Sequence, residues 1–174
     1  MRSGVFIALG VLLLVIQGNL YPLLGYVGLH GATPSFVLPL IIFLGVHEAS
    51  MARGALLAFA IGYATDLLAS APIGLFALTD VSCWWLARIA GVRLTAQTWW
   101  TKAGLSFGFS LVESVLVLVL LAIFGVDPQR PLEIASVALP HATSTALCSL
   151  VVFPLAQRIH QGAALSRAFE GLTR

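Results

Sequence analysis

Three ionisable side chains lie deep inside stretches of sequence that are otherwise apolar, namely Asp80, Glu113 and His141. Two carboxylic acids and an imidazole in apolar surroundings are suited to proton transfer, to ligand binding or to hydrogen bonds between helices. They belong to three successive predicted helices at similar depth, so we expect an internal polar cluster. Hydrogen bonding that fixes helix packing is its simplest role, and a proton relay or a ligand site is the alternative.

A fourth carboxylate, Asp66, precedes the short polar turn ASAP at residues 69–72. Pro72 suits the first position of a helix, and the N–H groups of residues 73–74 would follow it without helical partners. Asp66, helped by Ser70, is therefore predicted to accept hydrogen bonds at the positive end of that helix. Binding of an outside partner or ligand, which is compatible with capping, and proton chemistry are the alternative roles for Asp66.

Only 9% of the 174 residues are charged, whereas 59% are hydrophobic. Soluble domains average about 25% charged residues, so this chain could not cover a surface that faces water. Lipid must solvate most of it, and its length accommodates about six or seven helical spans of ~20 residues. The net charge of +2 gives no indication of nucleic-acid binding. We predict one transmembrane domain over residues 1–174, without a separate soluble catalytic domain.

The apolar runs and their polar breaks predict an all-α polytopic membrane protein with six spans. The second and third runs are shorter than a bilayer crossing requires, so a tilted or re-entrant second segment is an alternative. Gln17 and Asn19 in the first span are expected to bond a neighbouring helix, and Gly54, Gly62 and Gly74 to allow close helix approach. The predicted spans are residues 4–24, 34–46, 54–69, 72–89, 103–125 and 132–156, followed by a basic cytoplasmic tail at 157–174.

The charge asymmetry between the predicted loops orients these spans. With the N-terminus in the cytoplasm, only Arg130 among the basic residues lies on the outer side. This positive-inside pattern predicts that both termini are cytoplasmic and that the ASAP turn is at the outer face. Four tryptophans are expected in the aromatic belt of the inner interface, namely Trp84, Trp85, Trp99 and Trp100. The basic residues on the inner side are Arg2, Arg53, Arg88, Arg93, Lys102, Arg158, Arg167 and Arg174.

The sequence contains none of the common catalytic motifs: no H-E-x-x-H, no Walker loop, no G-x-S-x-G and no glycine-rich dinucleotide fingerprint. Cys83 and Cys148 match no metal or redox spacing and are expected to be small buried hydrophobes. Ser110, Glu113 and Ser114 share one predicted helix, which does not make a catalytic site without a positioned base. We therefore expect a protein that is not an enzyme and that needs no cofactor and no metal.

The stretch GYATDLLASAPIGLFAL at residues 62–78 resembles the signature of MreD, the small integral-membrane rod shape-determining protein of bacteria. That signature has a glycine, an aspartate four residues later, a Leu-rich turn with Ser, then Pro or Thr before Leu-Gly and an apolar run. Ser35, Asp80 and His141 depart from the family pattern. The matching residues are Gly62, Asp66, Leu67, Leu68, Ser70, Pro72, Gly74, Ala77 and Leu78.

The resemblance implies a non-enzymatic scaffold of the elongasome, the cell-elongation machinery that makes the peptidoglycan sidewall and maintains rod shape. It implies a location in the bacterial cytoplasmic (inner) membrane, in contact with membrane lipid. The implied direct partner is an MreC-like bitopic protein, and the implied indirect partners are MreB, RodA and a class B penicillin-binding transpeptidase. The implied fold is similar to the substrate-binding S components of energy-coupling-factor transporters.

Two hypotheses from other classes compete with the scaffold. A substrate-binding S component of a vitamin transporter would have the same size and topology, together with a pocket that opens outward. An intramembrane enzyme or a proton-coupled transporter would use Asp80, Glu113 and His141 for chemistry.

Overall fold

The structure is a computed structural model that describes residues 2–26, 33–48, 50–69, 72–91, 99–123 and 129–172. Within these ranges the chain forms six α-helices and no strand, as the hydropathy pattern predicts. The helices are α1 (Arg2–Tyr26), α2 (Val37–His47), α3 (Met51–Ala69), α4 (Leu75–Gly91), α5 (Trp99–Ile123) and α6 (Gln129–Leu172).

Three helical stretches of the described chain are long and apolar enough to cross a membrane, namely Met51–Ala69, Trp99–Ile123 and Val137–Gln161. Two further apolar stretches, Gly4–Leu20 and Val37–His47, are shorter. Large apolar side chains are also exposed on every helix except α2, among them Leu56 and Leu147, which are 67% and 69% exposed. Soluble proteins rarely expose apolar surface on this scale. The fold is therefore that of a helical protein associated with a membrane.

Helix α2 is the buried centre of the fold. Its residues 37–45 are all buried, and it packs against each of the other five helices. Its 11 residues extend ~16 Å at 1.5 Å per residue, about half the ~30 Å thickness of the hydrocarbon core. A helix of this length does not need to match the bilayer here, because protein rather than lipid surrounds it. The shortness of the second predicted span thus has a structural explanation.

Helices α3 and α4 pack closely because α3 presents small residues at four-residue spacing. Gly54, Ala58, Gly62 and Asp66 are all buried on this face. A Cβ atom added to Gly62 would lie 2.7 Å from the Cα atom of Ala77, and one added to Gly54 would meet the Trp84 ring at 2.6 Å. The predicted close approach is therefore confirmed for Gly54 and Gly62, whereas nothing lies within 4 Å of a Cβ on Gly74.

Several boundaries and positions differ from the sequence prediction. Helix α4 begins at Leu75 instead of Pro72, and α6 continues to Leu172, so the predicted tail at 157–174 is helical as far as Leu172. The 44 residues of α6 span ~66 Å, more than a bilayer is thick. The predicted belt position of Trp84 is wrong, because this ring is 2% exposed and packs in the core.

The other predicted belt and core positions agree better with the structure. Trp85, Trp99 and Trp100 are exposed at the protein surface. Cys83 is buried as predicted, whereas Cys148 is only partly buried, and both thiols are free.

We predict that Gly62→Ala lowers the free energy of unfolding by about 1–3 kcal/mol, because its methyl group would push α3 away from the backbone of α4. The matched control is Gly108→Ala in α5, where nothing lies within 4 Å of the added Cβ. This control should keep or raise stability, since alanine favours a helix over glycine. Reversible unfolding in mixed micelles measures both variants, and equal losses would contradict the packing argument.

Candidate functional site

The first polar feature is a corner where the carboxylate of Asp66 caps the following helix. Asp66 is 1% exposed and accepts hydrogen bonds from the backbone N–H groups of Gly74 at 2.9 Å, Phe76 at 2.7 Å and Ala77 at 3.3 Å. The first turn of a helix has N–H groups without helical partners, and its positive end favours an anion. The predicted capping geometry is therefore present, although the donors are residues 74, 76 and 77 instead of 73 and 74.

Two backbone hydrogen bonds complete the corner at the start of α4. The N–H of Leu75 donates to the carbonyl of Pro72 at 3.1 Å, and the N–H of Leu78 donates to the carbonyl of Gly74 at 2.9 Å. Gly74 has a φ of 99°, a backbone conformation that favours glycine. Pro72 is thus an acceptor in the turn and not the first helical residue. Ser70, the other residue predicted at this corner, lies outside the described part of the chain.

The second polar feature surrounds residues 33–36, which enter α2 without helical hydrogen bonds. The N–H of Ser35 donates to Thr145 Oγ1 at 3.0 Å, and the N–H of Phe36 donates to Gln17 Oε1 at 3.0 Å. The carbonyl of Thr33 accepts from His141 Nδ1 at 2.6 Å. Buried backbone N–H and C=O groups outside a helix require such partners, because an unpaired buried polar group costs free energy. Side chains of α1 and α6 therefore hold the entry to α2.

These contacts bear on the predictions for Gln17 and Asn19 in α1. Gln17 reaches across to the segment before α2, so its predicted contact outside its own helix is present. The amide of Asn19 donates to the carbonyl of Val15 in the same helix and its side chain is exposed, so the described residues show no hydrogen bond from Asn19 to a neighbouring helix.

The third feature is a cavity of about 250 Å³ that all six helices line. It brings together the three ionisable residues of the predicted polar cluster, Asp80 of α4, Glu113 of α5 and His141 of α6. Other polar residues at its wall are Gln17, Ser35, Thr65 and Ser114, and the apolar wall includes Val37, Phe76 and Val117. The predicted convergence of the three residues is therefore found around one cavity.

Glu113 and His141 face each other across the cavity wall as a possible ion pair. Since a carbonyl oxygen only accepts, the Nδ1 atom of His141 that faces Thr33 carries the hydrogen. The Nε2 atom of the same ring lies 3.9 Å from Glu113 Oε2. That distance is too long for a hydrogen bond and permits an ion pair when the ring is protonated. The imidazole is therefore oriented by the backbone and offers its other nitrogen to the carboxylate.

Two carboxylate oxygens at the cavity lack hydrogen-bond partners among the described residues, namely Asp80 Oδ2 and Glu113 Oε2. Asp80 is 2% exposed and Glu113 is 8% exposed. Leaving a buried polar atom unpaired is costly, and more so for a charged group. The simplest role expected for this cluster is hydrogen bonding that fixes helix packing. These two oxygens therefore do not take part in it.

Sequence reasoning missed most of the residues that support the cluster. Ser35 and Thr145 are fully buried and hydrogen-bonded to each other, yet serine and threonine are common in membrane helices and carry little signal alone. Ser106 lies at helical spacing from Ser110 and Glu113 on the buried face of α5, and it is the one of the three that the motifs do not single out. That spacing could have indicated a polar stripe on α5.

No family model, curated protein or solved structure matches the chain. The chemistry of these sites is therefore argued from their own geometry, and the resemblance to MreD stays a prediction.

We predict that Asp66→Ala lowers the free energy of unfolding by about 2–4 kcal/mol, because it leaves three N–H groups of one buried corner unpaired. Asp66→Asn should lose less, since it keeps one acceptor oxygen. Thr65→Ala is the neighbouring control, because the Thr65 hydroxyl bonds the Ile61 carbonyl of its own helix. A loss for Thr65→Ala as large as that for Asp66→Ala would refute the capping role.

We also predict that Thr145→Val, which keeps the side-chain shape, costs about 1–3 kcal/mol of unfolding free energy, since it leaves the N–H of Ser35 buried and unpaired. Thr143→Val on the same helix is the matched control. The Thr143 side chain is exposed and its hydroxyl donates to the nearby Pro140 carbonyl. Similar unfolding curves for the two variants would show that the entry to α2 does not depend on α6.

Proposed function

We propose that this chain is a non-enzymatic scaffold of the bacterial inner membrane that binds an MreC-like bitopic partner within the cell-elongation machinery. The observation that carries the proposal is the use of the family-like motif. Gly62, Asp66, Pro72 and Gly74 all build the corner between α3 and α4. A motif whose residues are used for shape is typical of a structural component.

The corner presents apolar side chains that a partner helix could contact. Leu67, Leu68 and Ile73 are 60%, 62% and 73% exposed, and we call them the corner surface. Apolar exposure alone does not drive association inside lipid, where helices associate through close packing of well-defined surfaces. The hydrogen bonds of Asp66 hold this corner in one shape, which favours such packing. The span of an MreC-like protein is the partner that we propose for it.

The arrangement of hydroxyl and imidazole groups supports a role without catalysis. The hydroxyl of Ser114 donates to the Ser110 carbonyl of its own helix at 2.9 Å. The Nδ1 atom of His141 donates to Thr33, and its Nε2 atom faces Glu113. Nucleophilic catalysis requires a hydroxyl or thiol within hydrogen-bond reach of a base. The hydrogen bonds of Ser114 and His141 are instead used within the fold.

The cavity between the helices favours a second candidate, a substrate-binding subunit of a membrane transporter. Its volume of about 250 Å³ approaches the lower end of the ~300–1,000 Å³ range of small-molecule sites. Seven of its thirteen lining residues are polar or ionisable, so a substrate there would meet several groups that can fix its orientation. Co-purification from native membranes separates the two candidates. Recovery of a bitopic partner supports the scaffold, and recovery of an ATPase with a coupling subunit supports the transporter.

We predict that a photo-crosslinking residue at position 68 or 73 captures a bitopic membrane protein in living cells. The same residue at Val151, an equally exposed position on α6, is the control and should capture much less of that protein. Mass spectrometry identifies the captured chain. Equal capture from the corner surface and from position 151 would overturn the scaffold proposal. Capture of transporter subunits from the corner surface would also overturn it.

A further inference from the structure

The cavity carries an inference that is independent of the scaffold proposal, because its charged residues lie outside the family-like motif. Asp80 and Glu113 both line the cavity and are more than nine-tenths buried, and each has one side-chain oxygen without a hydrogen-bond partner in the described chain. An unpaired carboxylate oxygen is among the strongest hydrogen-bond acceptors in a protein. Two of them at one cavity indicate a ligand that donates hydrogen bonds.

The charge of the wall indicates the sign of that ligand. The residues that line the cavity include two carboxylic acids and one histidine, and neither lysine nor arginine is among them. Glu113 Oε2 lies 3.9 Å from His141 Nε2, whereas Asp80 meets no lysine or arginine among the lining residues. A cationic ligand would therefore meet two acidic groups and no lysine or arginine that would repel it.

The shape and composition of the wall indicate an organic ion. Nowhere in the described chain do three or more His, Cys, Asp or Glu side chains converge in a way that could hold a metal ion. The volume of about 250 Å³ is also much larger than the ~30 Å³ that one water molecule occupies in the liquid. Val37, Phe76 and Val117 provide apolar contacts beside the carboxylates.

We propose that this cavity binds a small organic ammonium ion. The charged nitrogen donates hydrogen bonds to the carboxylates of Asp80 and Glu113, and the apolar body contacts Val37, Phe76 and Val117. His141 keeps its backbone hydrogen bond and balances part of the charge of Glu113.

The test uses the full chain in lipid nanodiscs and pairs of matched probes. Benzylamine and cyclohexylamine are protonated at neutral pH, and benzyl alcohol and cyclohexanol are their uncharged counterparts. The amines should raise the midpoint of thermal unfolding by a few degrees at saturation, since a ligand of the native state stabilises it. The alcohols should not. Equal shifts with the alcohols, or with sodium chloride at the same ionic strength, would overturn the proposal.

Variants locate the site. Asp80→Asn and Glu113→Gln should each weaken amine binding about tenfold or more, because each removes a charge-assisted hydrogen bond. Glu48→Gln lies outside the cavity wall and is the control for loss of a carboxylate, so it should bind as the parent chain does. If the Asp80 or Glu113 variants fail to fold, Val117→Phe provides a second test, since it fills the cavity and keeps both acids. Amine binding that survives Val117→Phe would refute this location.

Discussion

The corner at Asp66 is the interaction on which the arrangement of α3 and α4 depends. One buried carboxylate accepts three N–H groups at the start of α4, so the end of one helix is fixed to the beginning of the next. These N–H groups lack helical partners, and the hydrogen-bond partners of the buried carboxylate in the described chain are backbone groups. Each group therefore satisfies the other. Because α4 also packs on α2 and α5, the same contact positions Asp80 at the cavity.

The shortness of the central helix α2 explains the polar contacts made by the segment that precedes it. Since α2 spans about half the thickness of the hydrocarbon core, residues 33–36 approach it through the interior of the protein. Gln17, His141 and Thr145 supply the hydrogen bonds that this backbone needs. The cavity adjoins the same entry, because Ser35 and Val37 belong to its wall. Polar side chains near the start of α2 thus form hydrogen bonds with its backbone. The acids of α4 and α5 each keep one oxygen outside such hydrogen bonds in the described chain.

The sequence predicts the helices well and the polar contacts unevenly. Hydropathy is a property of whole segments, so six helices and the capping by Asp66 follow from apolar runs and one tight turn. The exposure of Asn19 and the burial of Trp84 do not follow, because both depend on which face of a helix meets its neighbour. Gly54 is the reason that Trp84 is buried, and only the packing of α3 on α4 brings the two together. Partners of residues 33–36 are likewise separated from them by up to 110 positions in the sequence.

The buried carboxylates divide into two kinds, and the division bears on function. Both carboxylate oxygens of Asp66 accept hydrogen bonds from backbone N–H groups, so this side chain stabilises the fold. Asp80 and Glu113 each keep an oxygen without a hydrogen-bond partner in the described chain, which costs stability. A scaffold needs only the first kind, because a rigid corner requires satisfied groups. Buried acids of the second kind are expected at ligand sites. The cavity that Asp80 and Glu113 line is therefore where a ligand would bind.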